Sequence, residues 1–199
     1  MPWRRAATFA CCFAFGALAE LFKARGAWAF DLRSELGNLS APWLVLALLP
    51  ALRSRSVLRG AATGLAATLC ALAGFYVMET LLFLPAFEEQ GSLLAELVWV
   101  FRAGLIWFAL GLVSGPVMGA LGSVLGRRRT WVAPVVGALL VGEPLVLSIF
   151  AGHRIPLPPP LYLNWNFEWT VVYLLEVAQG AALIVAFLAR RPWRPAPAA

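Results

Sequence analysis

The chain has 199 residues, of which 61% are hydrophobic and only 13% charged, with a formal net charge of +6. Soluble domains run near half apolar and a quarter charged, so this composition cannot clothe a water-facing surface and fits a lipid-facing one. Nor does the positive charge make a nucleic-acid surface. The arginines sit in short clusters between apolar runs, at Arg4/Arg5, Arg53/Arg55/Arg59, Arg127 to Arg129 and Arg190/Arg191/Arg194, which is membrane-flank usage.

A spanning helix needs about twenty mostly apolar residues. Six segments meet or approach that length: 6–22, 39–52, 57–84, 97–125, 131–151 and 170–189. The expected fold class is therefore all-α, a single polytopic membrane helix bundle over residues 1–199 with about six transmembrane helices. The first segment, with Arg4/Arg5 ahead of it and Ala17-Leu18-Ala19 near its end, has the outline of a secretory signal. Cleavage before Glu20 would leave five spans, and retention as a first span is the favoured reading.

The second segment is short and holds Pro42 and Pro50, so a re-entrant element is its alternative. Charge decides between them. With six spans and the N-terminus inside, the cytoplasmic pieces hold eleven arginines, and the outer loop 85–96 has no basic residue but Glu88, Glu89 and Glu96. Removing the second crossing would put Arg127 to Arg129 outside, against the positive-inside bias. The expectation is six spans with both termini cytoplasmic, in a bacterial inner membrane.

In the third segment Tyr76 and Glu79 share a face. The fourth carries Gly111, Gly115 and Gly119 at four-residue spacing, a close-packing face, with Gly122 and Gly126 repeating the spacing and Pro116 inside the run as an expected kink. Arg102, nine residues before Gly111, falls on the opposite face. In the fifth, Glu143 lies just beyond mid-membrane and precedes Pro144. The loop 152–169 holds Pro156 and Pro158 to Pro160, which favour an extended backbone, then Tyr162, Asn164, Trp165, Asn166, Phe167, Glu168 and Trp169. An interfacial aromatic belt is its first reading and a cap over a cavity its second. On the sixth segment Trp169, Tyr173, Glu176 and Gly180 share one side.

Five ionisable residues fall inside the spans: Glu20, Glu79, Arg102, Glu143 and Glu176. Each costs about 2.5 kcal/mol or more against lipid at a helix centre, so they face the bundle or water. Glu20 can pair locally with Lys23, three residues on. Glu79, Arg102, Glu143 and Glu176 are the candidate ligand or ion pocket, with Arg102 as counter-charge or as holder of an anionic substrate group and Glu143 as the protonatable or cation-binding carboxylate. Interhelical clamps are the alternative role for the same charges.

Catalytic motifs are missing: there is no GxSxG, HExxH, P-loop or well-placed GxGxxG. Glu88-Glu89 is reminiscent of intramembrane metal-dependent proteases, but those need partner histidines, and His153 is the sole histidine. Cys11, Cys12 and Cys70 lie in apolar runs and read as small packing residues, with no metal site among them. No cofactor is implied and no enzyme is expected.

The order Asn38-Leu39-Ser40-Ala41-Pro42-Trp43, Ala73-Gly74-Phe75-Tyr76, Gly115-Pro116, Gly142-Glu143 and Glu176 resembles a family of small six-span bacterial membrane proteins catalogued as a domain of unknown function. The first motif is shifted by one residue from that family's pattern. The resemblance implies the six-span topology and no activity. Ala6, Ala10 and Ala14 are similar, more loosely, to the small-residue spacing of substrate-capture subunits in energy-coupling-factor vitamin transporters. The expected function is small-solute or ion binding and transport through an outward-facing polar pocket. The alternative is a structural or assembly subunit. The expected partners are the lipid bilayer and either further copies of the chain or another membrane subunit, not nucleic acid.

Overall fold

The computed structural model describes residues 2–25, 37, 39–87, 93–150, 154–155, 163–164 and 169–190. The described residues form six α-helices: α1 (Pro2–Arg25), α2 (Ala41–Ala51), α3 (Val57–Phe87), α4 (Leu93–Leu125), α5 (Val132–Phe150) and α6 (Val171–Ala189). A 3₁₀ turn, Arg129–Trp131, leads into α5. The fold is an all-α bundle, and five of its helices are long and apolar enough to cross a membrane. A two-residue antiparallel pair, Arg154–Ile155 with Leu163–Asn164, ties together the α5–α6 connection. The proline run 156–160, residues 165–168, Asn38 and Glu88-Glu89 lie outside the described residues, as do the side chains of Arg4, Arg5 and Glu96.

Packing follows the small residues. α3 and α4 run antiparallel and meet along glycines: a Cβ on Gly64 would lie 2.6 Å from the Gly119 Cα, and Gly60 presses on the Gly119 carbonyl and on Ser123. Gly111 and Gly115 face Thr68 of α3 across the same seam, while Arg102 on the other side of α4 is exposed. Close backbone approach of this kind replaces the hydrophobic driving force that lipid does not supply. α4 runs as one helix through Pro116. α1 runs parallel to α3, with Gly16 against Ala71 and Gly74 against Phe13, and Cys12, Ala67 and Ala71 form a buried cluster between them. α5 and α6 are antiparallel, and each of Gly137 and Gly180 closes on the other's carbonyl at 2.6 Å from an added Cβ.

The short α2 packs on α3 and α4 and also touches α5. Its Leu48 and Leu52 carbonyls lie against Gly122 and Gly126 at the end of α4. Val132, Val135 and Leu139 of α5 complete a cluster with Ala47, Leu48, Met118 and Leu125, joining the α5–α6 pair to the other helices.

Of the six described helices, α2 alone is shorter than a full span, as the short second segment led one to expect. Eleven residues of α-helix cover about 16 Å, roughly half of the hydrocarbon thickness. Because α1 and α3 run the same way, the chain between them must return across the bundle. Gly37 lies beside Ala19 and Lys23 of α1, and Leu52 beside Gly126. Among the described residues, that return includes the half-length α2, which follows Ser40. The resulting layout places the exposed Arg53, Arg55, Arg59, Arg127, Arg128, Arg129 and Arg190 on the face where α3 and α5 start and α6 ends.

Candidate functional site

Helix α2 starts with four backbone N–H groups that have no partner within the helix. Ser40 stands at the N-cap position but its hydroxyl makes no capping bond, and Pro42 within the first turn removes one donor. The Trp43 N–H bonds back to the Ser40 carbonyl, so the Ser40 and Ala41 N–H groups are the donors that need a partner from elsewhere in the fold. Glu143 is that partner. It lies eleven positions into α5, about 16 Å from its start and hence near mid-membrane. The Ser40 N–H donates to Glu143 Oε1 at 2.5 Å, and the Ala41 N–H donates to Oε2. One carboxylate thus caps a helix 103 positions away, and its negative charge sits on the positive end of the helix dipole.

Glu176 of α6 faces the same carboxylate. It is only 4% exposed, and the Glu143 carboxylate is its charged neighbour. Two ionised carboxylates have no hydrogen to share, and no other described group donates to Glu176, whose two oxygens are both buried without a donor. α2 supplies no titratable side chain, α5 only Glu143, and α6 adds Tyr173 one turn from Glu176.

The other two predicted pocket residues are elsewhere. Glu79 of α3 lies near the outer end with Glu20 and Lys23 of α1, where the Lys23 ammonium is 3.8 Å from Glu20 and 5.0 Å from the centre of the Phe75 ring. Parallel packing of α1 and α3 brings Glu20 and Glu79 to one level. One oxygen of each is buried without a hydrogen bond. Just inward, Phe15, Trp43, Phe75, Tyr76 and Phe108 form a continuous edge-to-face and stacked row across α1 to α4, with centroids 5.0 to 5.8 Å apart. This row lies between the outer charges and the depth of the bundle.

Arg102 joins neither group. It is exposed, precedes the apolar span that begins at Gly104, and forms no ion pair with Glu79, Glu143 or Glu176. The structure therefore does not bring the four residues into one pocket but into two places: a carboxylate pair on a helix end, and an outer cluster in which Lys23 pairs with Glu20 beside Glu79. The physical reason is reach: an arginine at the interface keeps its charge in the headgroup layer instead of desolvating it.

The Ser40 and Ala41 amides are the functional groups that side-chain inspection missed. Ser-Ala-Pro in the middle of an apolar segment is a helix-start signature, and it was the available signal. Among the described residues no group of three or more His, Cys, Asp or Glu is placed to hold a metal ion. Cys12 is buried in the α1–α3 core, and the three cysteines are free thiols. Together, fold and site define a multi-pass helical membrane protein with the buried Glu176 beside a half-buried Glu143 that caps a short helix. Comparison with family models, with curated proteins and with solved structures gives no match.

Proposed function

We propose that the chain binds and transports a small solute or ion across a bacterial inner membrane, with its termini cytoplasmic, and that Glu143 and Glu176 hold the coupling proton. The observation that carries this is the burial of Glu176 against Glu143 with no donor to either of its oxygens. Two carboxylates in such contact repel when both are charged, and a proton held between them relieves the repulsion and supplies the missing donor. Intramembrane carboxylates of this kind serve as proton relays in transporters. Broken helices with their ends at mid-membrane are the usual frame for a transported ligand. Residues from three of the segments behind the family resemblance, Ser40 and Ala41, Glu143, and Glu176, meet here, and membership of that family is part of the same proposal.

Infrared spectroscopy of the protein in bilayers tests the proton directly. A protonated carboxyl band is expected at neutral pH in the unaltered chain and is expected to disappear in Glu176→Gln. An identical carboxyl signal in both proteins, from mildly acidic to alkaline pH, sinks the reading.

The second reading, an assembly subunit, is favoured by one feature. Ala6, Ala10 and Ala14 form an exposed small-residue row on α1, a surface suited to helix docking. Native mass spectrometry after extraction from the source membrane separates the readings. A stoichiometric second subunit supports assembly, and a lone chain or homo-oligomer removes it.

A further inference from the structure

We propose that the N-terminus of α2 is a binding site for the carboxylate group of an external ligand, and that Glu143 is its tethered occupant. The inference rests on the reading of Glu143 and Glu176 as a proton-holding pair and adds the chemical class of the ligand.

The site is built to receive a carboxylate. Two adjacent backbone amides, Ser40 and Ala41, each take one oxygen of the same group, which is bidentate recognition by a helix end. Glu176, 4% exposed and lacking any donor of its own, points at the same group. Carrying a proton, it becomes a third donor. Ser40's own hydroxyl is not used in the cap, so nothing local competes for these amides. The present occupant comes from another helix, on a side chain with three rotatable bonds, and can leave without breaking the backbone.

Protonation is what releases it. A neutral Glu143 loses the charge that the helix end stabilises, and a carboxylate from outside then offers the better partner. One proton enters with one anion, so the charge at the α2 end stays constant. The groups facing this exchange are Glu143 on α5, Glu176 and Tyr173 on α6, and no titratable side chain on α2. Access exists at Ser40, which is exposed although Ala41 beside it is fully buried. The same carboxylate chemistry is offered by a soluble small acid and by a bilayer fatty acid, and the test distinguishes them.

The full chain in lipid nanodiscs is titrated with acetate, with decanoate, and with ethylammonium as a cationic control, reading the thermal midpoint and amide hydrogen exchange at Ser40 and Ala41. In Glu143→Ala the vacated helix end is expected to bind a carboxylate in alkaline solution, raising the midpoint and slowing both amides. In the unaltered protein, carboxylate binding is expected to be at least about tenfold tighter in mildly acidic than in alkaline solution, the ratio for one pH unit of linked protonation. A response to both carboxylates assigns a soluble acid, and a response to decanoate alone assigns a bilayer fatty acid.

The proposal is overturned by a response to neither carboxylate or by an equal response to ethylammonium. Should Glu143→Ala fail to fold, the acid-to-alkaline comparison on the unaltered protein decides alone. Binding to the alanine variant needs no proton on Glu143, so it can succeed even where the infrared test of the pair fails.

Discussion

Glu143→Ala is expected to destabilise the protein by about 2–4 kcal/mol, because it strips the partner from two amides at a helix start. The cost is set by where those amides are. The Ala41 N–H is in a fully buried residue and has no substitute acceptor, whereas Ser40 is exposed and recovers part of the loss. Glu143→Gln keeps an oxygen in place and gives up only the charge, so about 1 kcal/mol is expected from the weaker interaction with the helix end. Reversible unfolding in bicelles measures the difference, and hydrogen exchange localises it. The Ser40 and Ala41 amides should pass from slow to fast exchange in the alanine variant, while the α3–α4 seam keeps its protection. Equal losses for alanine and glutamine would show that the carboxylate does not cap α2.

The cap also connects two parts of the bundle. α5 and α6 pack chiefly on one another, and their attachment to the remaining helices runs through α2 and the cluster around Leu48. Glu143 is the polar element of that attachment, and Glu176 places the charge state of α6 in the same contact. A change of protonation at the pair therefore acts where one helix pair meets the rest of the molecule. The outer cluster has no such position. Glu20, Lys23 and Glu79 lie on α1 and α3, which are packed along much of their length, and the aromatic row from Phe15 to Phe108 closes the space inward of them.

Much of the fold is written in composition. Apolar length locates α1, α3, α4, α5 and α6 to within a few residues, because hydrocarbon thickness fixes how long such a run must be. The four-residue spacing of Gly111, Gly115 and Gly119 identifies the face of α4 that meets α3, since only backbone lies there. What composition hides is the break before α2. Residues 39–52 read as one apolar segment, and hydropathy does not register that its first turn starts at mid-depth. Ser40 and Pro42 do register it, but only once the backbone donors are counted.

The site was legible in half. Depth and the neighbouring proline single out Glu143, and α6 periodicity turns Glu176 inward, but nothing in the sequence brings the two together. Their meeting depends on the Gly137–Gly180 contact that sets the register of α5 against α6. Arg102 shows the opposite failure. Opposite charge suggested a partner, while its position ahead of Gly104 left it free to reach the interface.

Gly64→Leu is expected to be strongly damaging to the bundle. An added Cβ at Gly64 meets the Gly119 Cα at 2.6 Å and Gly119 N at 2.8 Å, and the reciprocal Cβ at Gly119 meets the Gly64 Cα at 2.8 Å. These neighbours are backbone on a second helix, so no side chain can rotate away. α3 and α4 must separate along the whole seam, including Gly60 and Gly115, and the contacts that replace hydrophobic association in lipid are lost together. Overpacking of a tight interior costs about 1–3 kcal/mol, and here the rigid neighbours place the expected loss at or above the upper end. Gly142→Ala is the internal control. A Cβ there meets nothing within 4 Å, and replacing glycine by alanine in a helix gains about 0.5–1 kcal/mol. Unfolding of the two variants side by side should therefore give shifts of opposite sign. Equal tolerance of both would mean that the α3–α4 glycine seam does not hold the bundle, and a loss at Gly142 would mean that the space beside Glu143 is filled in the working protein, as a bound ligand would fill it.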